Sequence, residues 1–423
     1  MIDLNGKRLL VLGGTGQQVK IVEAAKRRGV WCAVADYLPE SPGKKIADAS
    51  YCIDIKDIDA LENLAHDISI DGVICGYIDP GQRPYQELCE RLGVYCYGTR
   101  DQFWKMTDKP AFKALCRSHG VDVIPEYCIE DLEDMGTAFP VFVKPVDSRG
   151  SRGQAVCRSF EEAEHAIDRA KKESSNGQYI IEKYVEGAQE FQATYFVVDG
   201  VPYLVRTADS YTGDESSGLE KVVLGAVSPS RFTDVYLKRA HGVVVQMLKA
   251  VGLKNGPAFM QGFYDGECFR FFDPGLRFPG VDYERIYDRV FGIDLSEMLV
   301  ELALTGRVES AGLPEDGALL NGSSAAVLFP TIKSGRVGDA SSFDLIAKMR
   351  GVVSLIPRVE TGDEIDWTYD VNQRACEVDV LADNLQDLAK IINDVNNSLS
   401  IKDAAGKEMR YRVFTGEQLL KSN

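Results

Sequence analysis

Three patterns along the 423 residues predict a chain of mixed α/β and α+β class built from several units. Over 1–107, apolar strands alternate with amphipathic helices. Over 108–305, strands dominate and helices punctuate them. Over 306–423, a shorter strand-rich region follows. A chain this long exceeds what one core can hold. The first pattern calls for a parallel sheet covered on both faces, a Rossmann-like unit. The second calls for a larger strand-rich domain, and the third for a small strand-rich C-terminal α+β domain.

In chain order, Arg8–Gly13 is an apolar run ending in Gly13-Gly14-Thr15-Gly16, and Gln17–Arg28 has helical spacing. Trp31–Ala35 is a second strand capped by Asp36, Ile58–Ile68 a helix, Gly72–Cys75 a strand and Tyr85–Leu92 a helix. Gly14 and Gly16 suit a tight strand-to-helix turn. They also resemble part of a dinucleotide fingerprint with Asp36 as its ribose acid, but Val19 stands at the third glycine position. Asp108-Lys109-Pro110 starts a helix that Gly120 ends. Helices are expected at Ser159–Lys171, Asp234–Val251, Leu295–Leu304 and Asn384–Leu399, with a hairpin across Asp265-Gly266 and a final strand near Met409–Phe414.

Composition narrows function. Apolar residues are 45% and charged residues 26%, and no run of eighteen apolar residues predicts a membrane span. The N-terminal residues lead directly into a strand without a signal-peptide pattern, so a cytoplasmic location is expected. A formal charge of −16 disfavours nucleic acid and requires any polyphosphate site to be locally basic. None of the ten cysteines forms a C-x-x-C pair, and only four histidines are present, which fits free thiols in a reducing compartment and disfavours a cysteine nucleophile.

Three stretches carry chemistry. Phe139–Lys144 is an apolar strand with one lysine near its end, followed by a loop holding Ser148, Arg149, Gly150, Ser151, Arg152 and Gly153. A strand lysine beside a loop rich in N–H donors suits a polyphosphate, and an edge lysine beside a plain hairpin is the alternative. Tyr179–Glu190 runs from strand into Glu182, Lys183, Tyr184, Val185 and Glu190, where two glutamates suit an exocyclic amine and a ribose hydroxyl, or a solvated acidic turn. In the hairpin 259–280, Gln261 and Asp273 fall on neighbouring strands where both oxygens can face one magnesium, and Arg277 follows.

In this order the stretches resemble the ATP-grasp superfamily, most closely its biotin carboxylase and carbamoyl-phosphate synthase large-subunit branch, over essentially the whole chain. The resemblance implies ATP lying between a small lid subdomain at about 120–186 and the rest of the 108–305 domain, held by Lys109, Lys144, the Gly150–Gly153 loop, Glu182, Lys183, Val185 and Glu190. It further implies magnesium or manganese at Asp273 and Gln261, and Arg277 and Lys221 as catalytic groups. The implied activity is a ligase that activates a small carboxylate as an acyl-phosphate and passes it to an amine or other nucleophile, in a homodimer without nucleic-acid or membrane partners. Two departures matter. Gln261 stands where the family usually has glutamate, and Asp273-Pro274-Gly275-Leu276-Arg277 replaces Glu-x-Asn-x-Arg. A metal site thinned in this way leaves a catalytically weak or silent ATP-binding regulator as the second reading. Tyr77, Tyr211 and Tyr283 are candidate contacts for a small acid.

Overall fold

The computed structural model describes residues 2–134, 139–146, 153–174, 176–213, 219, 222–280, 283–308, 312–368 and 371–422. The first unit is a four-stranded parallel sheet in the order Ala49–Tyr51, Trp31–Ala35, Arg8–Leu12, Gly72–Ile74. Helices Gly16–Arg27, Ile58–Asp67 and Gln82–Leu92 accompany it. The Gly14 amide donates to Asp36 at 2.7 Å, as does the Leu38 amide at 2.8 Å. Asp36 therefore secures the glycine turn, and its carboxylate is occupied where a dinucleotide reading needs it open.

Asp108 caps the helix Lys109–Ser118 by accepting from the Ala111 amide at 3.1 Å, and Gly120 follows the helix at φ +70°. A four-stranded antiparallel lid sheet comes next, ordered Glu126–Tyr127, Tyr179–Lys183, Val141–Pro145, Ala155–Cys157. Helix Phe160–Glu173 buries Ala163, Ala166, Ile167 and Ala170 against Val141, Val143 and Ile181, giving the lid a core of its own.

An eight-stranded sheet forms the body, in the order Phe269–Gly275, Gly256–Tyr264, Gln189–Val198, Val201–Thr212, Val223–Ser228, Ser324–Leu328, Cys376–Ala382, Val352–Pro357. Its last three strands come from beyond residue 306. The expected C-terminal domain thus extends the central sheet through the pairing of Val223–Ser228 with Ser324–Leu328, although it keeps a separate apolar cluster around Leu388, Ile392 and Val395. Within Gln189–Val198, Phe191, Ala193 and Tyr195 face one side. Phe191 lies 5.0 Å from the Tyr236 ring there, and the Tyr195 hydroxyl is 2.5 Å from that of Tyr236. The opposite face carries Glu190, Gln192 and Thr194.

Some local expectations do not hold. The helix placed at Asp234–Val251 is two, Thr233–Arg239 and His241–Val251, because Ala240 at φ −120° leaves helical geometry. Met409–Phe414 is not a strand: Arg410 bridges Ile332 alone, and the chain ends in the helix Gly416–Ser422. Short elements at Pro42–Ile46, Arg100–Lys105 and Ile129–Asp134 are additional, each too brief for periodicity to reveal.

Candidate active site

The lid sheet, the start of helix Lys109–Ser118 and the hairpin Gly256–Gly275 enclose a cavity of about 890 Å³. Lys109, Lys144, Glu182, Lys183, Val185 and Asp273 lie on its wall, with Phe142, Tyr184, Phe263, Phe272 and Ile124 supplying apolar surface. Charge from three distant stretches therefore converges on one space large enough for a nucleotide. The arrangement follows from the local folds. The N-cap at Asp108 puts Lys109 in the first turn of its helix, and the pairing of Lys144 with Ile180 brings Lys144 beside Glu182.

Lys144 is buried and its ammonium lies 2.6 Å from Glu182 Oε2, while Lys113 Nζ contacts Glu182 Oε1 and also Glu126 at 2.8 Å. Burial lowers the basicity of Lys144 and Glu182 opposes that effect, whereas the charges of Lys109 and Lys113 reinforce it. Glu182 was expected to read a ligand's amine. Its carboxylate is instead held between two lysines, so it positions Lys144. Lys113 escaped sequence reasoning because a lysine on an amphipathic helix ordinarily reaches solvent. Its signal was its place one turn after Lys109, on the buried side with Phe112 and Cys116. The Lys183 amide donates to Pro125 O at 2.9 Å and the Tyr184 amide to Pro140 O at 3.1 Å, fixing the segment that carries Val185.

At the hairpin, Gln261 and Asp273 are direct register partners on adjacent strands. The Gln261 amide nitrogen donates to Glu190 at 2.6 Å, which leaves its oxygen as the atom able to meet a cation. The cavity wall takes in Asp273 but not Gln261, Arg277 or Glu190, and Glu190, expected at a ribose, accepts from the Gln261 amide instead. Burial raises the Glu190 carboxyl pKa against hydrogen bonds from Ser210 and Gln261, and the Asp273 charge raises it further. Burial likewise pushes Asp273 up, while Arg277, Lys109 and Lys144 pull it down, so all three cations act on this carboxylate. A Cβ on Gly275 would meet the Phe259 ring at 2.6 Å, which explains why no side-chain ligand stands there. Arg277 lies over that ring at 4.4 Å, donates to Phe278 O at 3.0 Å and approaches Asp79 at 3.4 Å. Asp79 lies on the cavity wall. Among the described residues, no three carboxylate, imidazole or thiolate groups gather as a metal cage. One carboxylate and one amide oxygen suit magnesium, which retains water and phosphate ligands.

Gly153 adopts φ +68° against Pro145 and Glu173, a conformation that favours glycine. Gly150, Ser151, Arg152 and Lys221 lie outside the described residues. Tyr77, Tyr211 and Tyr283 are not on the cavity wall. Tyr283 donates to Val205 O at 2.9 Å, and the Tyr211 and Phe414 rings stack at 4.5 Å.

Residues 108–210 match the family model described as carbamoyl-phosphate synthase L chain, ATP binding domain. The 2-oxoglutarate carboxylase small subunit of Hydrogenobacter thermophilus is 27% identical over 212 residues, covering 44% of this chain and 44% of that protein. The chain thus spans less than half the length of this relative. The solved biotin carboxylase domain dimer of that 2-oxoglutarate carboxylase, in complex with MgADP, ADP and bicarbonate, superposes with TM-score 0.78 at 18% identity, over 94% of this chain and 90% of the other. The L-amino acid ligase of Bacillus licheniformis superposes with TM-score 0.75 at 16% identity, over 94% and 99%.

Proposed function

We propose, from the premise that this chain has the ATP-grasp fold of the biotin carboxylase and carbamoyl-phosphate synthase branch, that it is an ATP-dependent carboxylate–amine ligase. The observation that carries the reading is the shared cavity of Lys109, Lys144 and Asp273 beside the 183–185 segment. Lys109 and Lys144 hold the phosphates, the backbone around Val185 faces adenine, and Phe142, Tyr184 and Phe272 enclose the base. The Gly150–Gly153 loop and Lys221 belong to this reading as phosphate and acceptor contacts.

The carboxylate oxygen attacks the γ-phosphorus, a P–O bond forms, and the bond to the β-phosphate oxygen breaks to release ADP. The amine then attacks the acyl carbon, phosphate leaves with the C–O bonding pair, and the proton lost from the amine nitrogen passes to that phosphate. Arg277 balances the negative charge of the reacting groups, and the enclosing walls keep water from the acyl-phosphate. Asp273 and the Gln261 oxygen would hold magnesium, or manganese in its place, which when bound neutralises phosphate charge. A cytoplasmic homodimer completes the reading, supported by the dimeric state of the biotin carboxylase domain from Hydrogenobacter thermophilus.

The test is ADP release with MgATP over a panel of small acids and amino acids, comparing the parent with Lys144→Ala. Substrate-dependent release by the parent and its loss in the variant are expected. Equal turnover in both removes Lys144 from the mechanism. MgATP binding without ADP release on any panel member supports a silent regulator instead.

A further inference from the structure

The polar face of the central sheet continues past the cavity and reaches a guanidinium that the nucleotide reading does not use. Gln192 is the register partner of Gln261, and Gln261 that of Asp273, so one row of side chains crosses three strands. Beyond Gln192, on the next strand, the pairing shifts between Leu204 and Arg206, so that Arg206 stands opposite Thr194. With uninterrupted register Arg206 would face Ala193, on the apolar side. The bulge turns it onto the polar face, a common use of bulges beside functional sites.

Arg206 is fully buried. Its Nε donates to Ser228 Oγ at 3.1 Å and its Nη1 to Gln192 Oε1 at 3.1 Å, and both acceptors are neutral. Among the described residues, Nη2 has no hydrogen-bond partner. The Tyr283 ring lies 5.3 Å away as a cover. The carboxylates of Glu284 and Asp379 act on Arg206 only at longer range, and Glu284 is bonded to Lys20 at 2.6 Å. Burial lowers the guanidinium pKa to about 10. Buried charges are ordinarily paired, so a buried cation whose bonded partners are all neutral lacks an anion.

We infer that Arg206, with Gln192 and Ser228, binds a substrate carboxylate other than the one that is phosphorylated. This rests on the ligase reading and extends it to specificity. Gln192 and Gln261 stand on adjacent strands, so the two ends of the bound chemistry are separated by roughly 5–10 Å at ordinary strand spacing. The carboxylate belongs either to a short dicarboxylic acid or to an amino acid serving as the nucleophile.

The experiment uses the full chain with MgADP and measures binding by calorimetry for two pairs, succinate against succinamate and L-alanine against L-alaninamide. Each pair differs in one carboxylate. The expected result is at least tenfold tighter binding of the carboxylate member in one pair, which identifies the source. That preference should disappear in Arg206→Gln and survive in part in Arg206→Lys. No preference in the parent for either pair, or the same preference in Arg206→Gln, overturns the assignment. Ligand-free Arg206→Gln should melt no lower than the parent, because no ion pair is broken. A lower melting temperature in both variants makes Arg206 a structural group and also overturns it. MgADP stabilisation of the parent is read separately: its absence sinks the nucleotide reading, whereas its persistence beside a failed pair test sinks only this one.

Discussion

Replacing Glu182 by glutamine tests how the cavity holds its lysines. Glu182 is 1% exposed, and its two oxygens meet Lys113 and Lys144. Lys113 keeps Glu126 at 2.8 Å, so the variant leaves Lys144 as the uncompensated cation. Removing one partner of a buried pair costs about 3–5 kcal/mol, and the retained amide oxygen favours the lower end. A loss of about 3 kcal/mol lowers the melting temperature by roughly 6–12 °C for a unit of ordinary domain size. The pH dependence has a definite sign. Burial already depresses the Lys144 pKa, and without Glu182 it falls further. A base with a lowered folded pKa destabilises while protonated, and the penalty fades as pH rises through that pKa. The deficit of Glu182→Gln should therefore be largest near pH 6 and shrink toward pH 9.5. MgADP should stabilise this variant more than the parent, because phosphate restores the missing negative charge. Melting curves across that range, with and without MgADP, provide the measurement. A variant within one degree of the parent at pH 7, or a deficit that does not change with pH, refutes the reasoning.

Three further outcomes are expected. Gln261→Glu places a second carboxylate against Glu190, where the amide now bonds at 2.6 Å. Like charges about 4 Å apart cost about 4 kcal/mol and closer ones more, so the variant should melt lower in EDTA and recover in millimolar magnesium; equal melting in both buffers contradicts the proposed cation position. Burial raises the Asp209 carboxyl to about 6 despite bonds from Ser230 and Arg231, so its ionisation destabilises the fold as pH climbs from about 4 through 6. The stability of Asp209→Asn relative to the parent should accordingly improve between pH 4 and 7, by about 3 kcal/mol at most, and urea titrations at the two pH values give the difference. Lys109→Ala should weaken MgATP stabilisation without lowering the ligand-free melting temperature, since Lys109 is only partly buried; a lower ligand-free melt assigns it to the fold instead.

Local chemistry made much of the chain readable. Asp108-Lys109-Pro110 starts its helix for capping reasons that need no tertiary context. The Gly256–Tyr264 and Phe269–Gly275 strands follow from alternation and an Asp-Gly turn. Pairing between remote strands was not readable, which is why residue 306 looked like a domain edge. Met409–Phe414 has the composition of a strand but finds only an isolated bridge. At the site, Lys144, Lys109 and Asp273 stood out as charges in apolar or capped settings. Lys113 and Arg206 did not, because their burial depends on a helix face and on a bulge that one-dimensional spacing cannot show. The sequence of Glu190, Gln192 and Thr194 at every second position was the available sign that one sheet face would be polar.

The pairing of Val223–Ser228 with Ser324–Leu328 has a practical consequence for anyone recombining this chain with another. Cutting after residue 306 would strip a neighbour from an interior strand and bare its unpaired amides to other molecules, an invitation to aggregate. A chimera that imports a foreign tail must therefore deliver a strand in matching register, and transplanting a nominally separate module will not suffice.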